Sequence, residues 1–150
     1  MVTRLAGLFL AASLVLGFAP PATGAWKGVW LSIESPVNPY DNANRNVLLF
    51  VHTFWMQGSA AMPVEGRAEG VVDGVRRSVP LAFEARGDGG VYAVSRSWPG
   101  QGRWALVITA RNRGQQATAL VRLSDDGRVA AVQVTPDRGA AEADVAAALR

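Results

Sequence analysis

The sequence predicts an all-β domain, an antiparallel sandwich or barrel of about seven or eight strands, followed by one short helix. Short stretches of alternating hydrophobic residues recur along most of the chain. Clusters of Gly, Pro, Asn and Asp separate these stretches at intervals of about 8 to 12 residues. Helical spacing of hydrophobic residues is confined to the C-terminal tail. This alternation of short strands and turns is typical of antiparallel sandwiches and barrels.

The first 25 residues have the pattern of an export signal. A basic start at Arg4 precedes an apolar run of 15 residues, Leu5–Ala19, shorter than the roughly 20 that span a bilayer as a helix. Pro20-Pro21 ends that run, and small residues follow. We therefore predict cleavage after Ala25, or one residue earlier, and a periplasmic or secreted protein without stable membrane insertion. An uncleaved membrane anchor is the alternative.

The remaining residues are enough for one domain, which we place at residues 26–136, with a tail at 137–150. Basic residues outnumber acidic ones by only two after removal of the signal peptide, and they form no long run. We therefore expect no nucleic-acid partner. The chain has no Cys, which excludes disulfides, thiolate metal sites and thiol nucleophiles.

The N-terminal strand patterns differ in what their two faces contain. Lys27–Ile33 alternates and precedes a polar loop at Pro36–Asn46. Val47–Met56 is apolar on both faces, which predicts a central, buried strand. Val64–Val72 has Gly and Ala at alternate positions, which suits a strand that another backbone approaches closely.

The dipeptide Asp73-Gly74 predicts a two-residue hairpin turn, because both residues tolerate positive φ angles. The return strand, Val75–Phe83, contains Pro80, which indicates a strand at a sheet edge. The remaining predicted strands are Val91–Trp98, Arg103–Arg111, Ala117–Leu123 and Val129–Thr135. In the tail, Ala140–Leu149 has hydrophobic residues in i, i+4 steps and predicts a helix, short enough to be marginal unless it docks on the sheets.

Three segments resemble the YtkA-like and FixH-like group of small exported immunoglobulin-like domains. They are Met62-Pro63-Val64-Glu65-Gly66, Gly90-Val91-Tyr92 and Gly102-Arg103-Trp104-Ala105-Leu106. The resemblance covers roughly residues 47–110. It implies an immunoglobulin-like β-sandwich outside the cytoplasm, in a neighbourhood associated with copper handling and respiratory-oxidase assembly. It assigns no functional residue to a position of this chain.

A soft-metal site is the first candidate chemistry, because imidazole and thioether groups suit copper. The candidate ligands are His52, the only histidine, with Met56 and Met62. His52 and Met56 share a strand face but lie roughly 13 Å apart. A fold-back through the Gln57-Gly58-Ser59 loop could bring Met62 close to His52, but not both methionines at once without a bulge. A histidine that hydrogen-bonds locally within a sheet is the simpler interpretation, and we predict no metal or other cofactor.

Catalytic patterns are missing from the sequence. One His without Cys supports neither a Ser–His–Asp nor a Cys–His arrangement with a recognisable signature. Glu65 and Glu69 would be the only carboxylate pair of interest, and exposed strand carboxylates explain them more simply. The segment Asp41–Asn46 has too few carboxylates for calcium and favours a turn in which Asp and Asn bond their own backbone. We therefore predict that the protein is not an enzyme.

The five tryptophans are the least ordinary feature of so small a domain. Trp104 opens an alternating strand and is expected in the core. Trp26, Trp30 and Trp98 are the candidates for an exposed binding surface, because large aromatic rings favour protein or sugar contacts. The sequence thus predicts a non-catalytic module that binds a protein or an envelope polymer. A periplasmic protein for copper handling or oxidase assembly is the alternative.

Overall fold

The computed structural model describes residues 28–38 and 40–150, which form ten β-strands, a 3-10 turn at Asn42–Asn44 and one α-helix. The strands are β1 Val29–Glu34, β2 Val47–Trp55, β3 Gly58–Ser59, β4 Val64–Val72, β5 Val75–Pro80, β6 Glu84–Ala85, β7 Val91–Ser95, β8 Arg103–Asn112, β9 Gln115–Leu123 and β10 Val129–Pro136, and the helix α1 is Glu142–Ala148. The predicted signal peptide, residues 1–25, and Trp26 lie outside the described residues.

Two antiparallel sheets pack face to face. In the first sheet the strand order is β1-β2-β7-β6, with β3 paired to β2. In the second sheet the order is β10-β9-β8-β4-β5. Neither sheet closes on itself within the described residues, so the fold is a sandwich and not a barrel. The predicted all-β sandwich with a short C-terminal helix is confirmed.

The main core lies between the two sheets. Its fully buried side chains include Leu31, Val51 and Val94 from the first sheet. They pack in one cluster with Leu106 and Ile108 from the second sheet. Each such side chain contributes about 1.5–3 kcal/mol by leaving water. Trp104 belongs to this core, as predicted, and its indole Nε1 donates to the carbonyl of Gln101 at 2.8 Å.

The Asp73-Gly74 hairpin is confirmed. Both residues have positive φ angles, 49° and 76°, and Val72 pairs with Val75 directly across the turn. Strand β5 lies at the edge of the second sheet, as Pro80 predicted. It ends at Pro80 and not at Phe83, because the chain there leaves the second sheet and crosses to β6 of the first.

The glycines of β4 make room for close neighbours of two kinds. A Cβ on Gly66 would lie 2.6 Å from the carbonyl oxygen of Val107, so a backbone does approach here, as predicted. At Gly70 the close neighbour is a side chain instead, since a Cβ would lie 2.3 Å from Cε3 of Trp104. The missing side chain at Gly70 therefore makes space for the largest ring of the core.

Helix α1 docks on the outer face of the second sheet, as the spacing of the tail predicted. Val145 is fully buried and Leu149, just after the helix, is 8 % exposed. Both pack against Ala105 and Val107 of β8, in a small second core that Leu120 also joins. The C-terminal tail is thus a cover for one face of the sandwich.

Strand β2 is central in the first sheet, but only one of its faces is fully buried. Leu49, Val51 and Thr53 point into the core and are 0 % exposed. The alternate residues, Phe50 and Phe54 among them, are only half-buried. The prediction of a strand buried on both faces is therefore wrong for the outward face, because no described helix or strand packs over it.

Candidate functional site

The outward side of the first sheet carries a strip of aromatic residues. Side chains alternate along a strand, and the core takes Leu31 of β1, Val51 of β2 and Val94 of β7. The residues between these core positions therefore point away from the core. We call five of them, all half-buried, the aromatic face: Trp30, Phe50, His52, Phe54 and Val91.

Strand register places the members of the aromatic face side by side. On β2, Phe54 pairs with Trp30 of β1, His52 pairs with Ser32 of β1 and Val91 of β7, and Phe50 pairs with Glu34 of β1 and Ala93 of β7. Directly opposed Cβ atoms in such pairs lie about 4.5–5.5 Å apart, close enough for side-chain contact. Phe50, His52 and Phe54 follow one another along β2, so the strip runs along the central part of the sheet.

A polar pair interrupts this strip. His52 Nε2 lies 2.7 Å from Oε2 of Glu34 on the neighbouring strand. The two side chains are 29 % and 53 % exposed. The imidazole is therefore hydrogen-bonded locally, as the sequence suggested, but it is open to solvent and not buried in the sheet. A partner bound to the aromatic face would contact this polar His52–Glu34 pair as well as the aromatic rings.

The three candidate copper ligands do not come together. His52 points outward from the first sheet, whereas Met62 is 6 % exposed and packs in the core between the sheets. Met56 lies past the end of β2 and is 55 % exposed. The described residues contain no cluster of three His, Cys, Asp or Glu side chains that could hold a metal ion.

The predicted tryptophan surface needs a correction at Trp98. Trp98 is only 4 % exposed and lies in the core, with its ring centroid 6.3 Å from that of Trp104. The turn after β7 folds the ring inward, where the guanidinium of Arg96 covers it at 5.8 Å. Trp30 does lie on the aromatic face, and Trp26 is outside the described residues.

Phe50 and Phe54 are the site residues that the sequence reasoning missed. The sequence does contain a signal for them, because the residues of β2 are apolar on both sides apart from His52 and Thr53. That pattern predicts burial on both faces. An apolar residue on a central strand is equally compatible with a face that receives another molecule, and the sequence does not distinguish the two.

The outward face of the second sheet is closed by ion pairs as well as by α1. Glu69, 6 % exposed, accepts hydrogen bonds from Arg67 Nε at 2.6 Å, Ser78 Oγ at 2.9 Å and Arg76 Nε at 3.3 Å. Burial acts to raise the pKa of this carboxyl, but the three donors together outweigh it and hold the pKa below its usual value. Arg76 also pairs with Glu142, which ties β5 to the first turn of α1.

Glu65 and Glu69 pair with different arginines. Glu69 is buried among its donors, which corrects the expectation that it is exposed, while Glu65 is exposed and pairs with Arg111. Each carboxylate therefore has an Arg partner of its own. A glycosidase pair needs one carboxyl with a raised pKa as the acid, and the pKa of Glu69 is shifted in the opposite direction.

The polar loop between β1 and β2 is built on local bonds. One carboxylate oxygen of Asp41 accepts the N–H of Ala43 at 3.0 Å, and the other accepts Nδ2 of Asn44 at 2.7 Å. The prediction of a turn in which Asp bonds its own backbone is therefore confirmed for Asp41, whereas Asn44 bonds the Asp41 side chain instead. An open cleft of about 520 Å³ lies at this end of the sandwich, lined chiefly by Pro, Val and Leu side chains, with Arg128 at its rim.

No helix among the described residues is both long and apolar enough to cross a membrane.

Comparison with protein-family models, with curated proteins and with solved structures gave no match for this chain. The resemblance to YtkA-like and FixH-like domains accordingly stays a prediction from three sequence segments.

Proposed function

We propose that this protein is an exported, non-catalytic binding module that holds a protein or a polymer of the cell envelope against its aromatic face. One observation carries the proposal: aromatic rings stand half-exposed in a row along β2, on a sheet face that no described helix or strand covers. Rigid aromatic side chains give large contact area at low cost in conformational entropy. Such rings dominate the binding energy of many interfaces.

The chemistry available on the aromatic face supports binding over catalysis. His52 is the titratable group among its five residues, and it already bonds to the neighbouring Glu34. A catalytic site needs several convergent groups around a reacting atom, usually in a concave pocket that excludes water. The aromatic face is one side of a sheet, which suits a partner with a broad surface.

The proposal of an envelope location is based on the sequence of the first 25 residues. Their basic start, apolar run and small residues before Trp26 are the features of a cleavable export signal. Mass spectrometry of the protein isolated from the envelope checks this part alone. A chain that starts at Ala25 or Trp26 supports export with cleavage, and a full-length chain held in the membrane contradicts it.

Site-specific photo-crosslinking in cells tests the binding proposal. We would place a photoreactive residue at Phe54 or Val91 of the aromatic face, and at Val75, which is 55 % exposed on β5, as the control. We expect the same adduct from both positions on the aromatic face and none from Val75. Protease digestion or wall-degrading enzymes then separate a protein adduct from a polymer adduct. Equal adducts at all three positions, or none at any, would refute the proposal.

Copper and zinc titration tests the alternative of metal handling. The geometry gives that alternative no specific support, because His52 faces away from the core in which Met62 lies. We expect no binding tighter than micromolar at neutral pH, in the wild type or in His52→Ala. Tighter binding that is lost in His52→Ala would replace the binding-module proposal with metal handling.

A further inference from the structure

The two edges of the second sheet differ in how they are protected. Exposed edge strands invite pairing with another chain, and proteins usually block them with charges or proline. The β5 edge carries Arg76, Arg77 and Pro80. The β10 edge, Val129–Pro136, carries no charged residue, and Val132 in its middle is 41 % exposed.

The backbone groups that β10 offers can be identified from its register. The N–H of Asp137 donates to the carbonyl of Gln116 on β9 at 2.8 Å. Because backbone groups alternate along an antiparallel strand, the N–H and C=O groups of Val134 and Val132 point away from β9. A bulge between Val129 and Ala131 and the proline at position 136 limit regular pairing to the short stretch between them.

Charged residues flank this stretch in an order that complements an antiparallel copy of itself. Asp126 and Arg128 precede β10, and Asp137 and Arg138 follow it. An antiparallel second copy centred near Val132 brings Arg128 close to Asp137 of the other copy, and Asp126 close to Arg138. Within the described residues neither Asp137 nor Arg138 has an ion-pair partner. Arg128 and Asp126 pair with each other at 3.3 Å, but their side chains are 86 % and 59 % exposed, so this exposed pair is worth little and its members are free to exchange partners with a second copy.

We propose that two copies of this chain pair through β10, antiparallel and edge to edge, so that the second sheet becomes one continuous ten-stranded sheet. The symmetry axis of such a pair is perpendicular to the sheet. Both aromatic faces then lie on the same side of the dimer. Two faces presented together raise avidity for a repetitive or dimeric partner without any new contact. The dimer itself does not depend on the proposed binding function.

Sedimentation velocity of the mature protein, purified from the envelope, tests the pairing over a roughly hundredfold range of concentration, because dimers form by mass action. We expect a dimer for the wild type. Val132→Lys places two like charges near the symmetry axis and should weaken dimerisation about tenfold or more. Val75→Lys is the matched control, a lysine in place of an exposed valine on the opposite edge strand, and it should leave the dimer unchanged. Denaturation midpoints verify that both variants fold.

A charge exchange gives a second, independent readout. Arg128→Asp alone should weaken the dimer at low salt, because it sets like charges against Asp137 of the other copy. The double variant Arg128→Asp with Asp137→Arg should restore it. A monomer at every concentration would overturn the proposal. So would a dimer that Val132→Lys and Val75→Lys affect equally, one that the double variant fails to restore, or one that is lost in Phe54→Ser, which would make the aromatic face the dimer contact.

Discussion

The two outward faces of this sandwich differ in how their hydrophobic residues are covered. Each sheet has a core side and an outer side, and both outer sides contain hydrophobic residues. On the second sheet, α1 covers Ala105 and Val107, and arginines hold the buried carboxylate of Glu69. On the first sheet, the rings of Phe50 and Phe54 stay half-exposed, and no described helix or strand covers them.

This difference separates a face whose apolar area is buried within the chain from one whose apolar area stays partly exposed to water. The covered face buries its apolar area within the chain, so a loss there should appear in the free energy of unfolding. The aromatic face keeps part of its apolar area in water, so substitution should cost less stability and more binding.

Leu149→Ala should have the largest effect on stability. Leu149 is 8 % exposed and anchors the end of the tail on β8, so its truncation loses apolar burial and leaves a cavity. We expect a loss of about 2–3 kcal/mol in the free energy of unfolding, measured by chemical denaturation. Ala147→Ser, at an exposed position of α1, is the control and should change little. A loss at Leu149 no larger than the control would mean that the helix does not seal the face.

Glu69→Gln should cost about 1–2 kcal/mol at neutral pH, since it keeps the shape of the side chain but removes the charge that three donors share. The folded-state pKa of this carboxyl lies below its unfolded value. Its stabilisation is therefore present above the unfolded pKa and is lost as the pH falls through the folded value. The difference between wild type and variant should shrink on acidification. A difference that grows in acid would contradict the assigned network.

Gly74→Val should cost about 1 kcal/mol, because Gly74 has a φ of 76° and a β-branched residue resists that conformation. Nothing lies within 4 Å of a Cβ added there, so backbone strain is the whole effect. Gly89→Val is the matched control, since that glycine is equally open and has no positive φ. Equal denaturation midpoints for the two variants would argue against a turn that requires positive φ.

The local elements of this fold were predictable, and their surroundings were not. Asp73-Gly74 specified its hairpin, and Pro80 specified an edge, because each acts through its own backbone. The outward face of β2 could not be assigned, because an apolar residue looks the same in sequence whether its cover is a helix or a partner. Trp98 was misplaced for a related reason: a ring beside a turn folds inward or outward according to the room that distant residues leave.

Phe54→Ser should have the smallest effect on stability, below about 1 kcal/mol, the usual scale of one cross-strand pair. It should have the largest effect on binding, and that contrast is the central claim of this account.

The direct measurement is co-sedimentation of the purified mature protein with isolated cell envelopes, comparing wild type, Phe54→Ser and Tyr40→Ser. Tyr40 is 90 % exposed in the β1–β2 loop and is the aromatic control. We predict that Phe54→Ser lowers the apparent affinity about tenfold or more while Tyr40→Ser leaves it unchanged. Equal binding by Phe54→Ser and wild type would contradict the account.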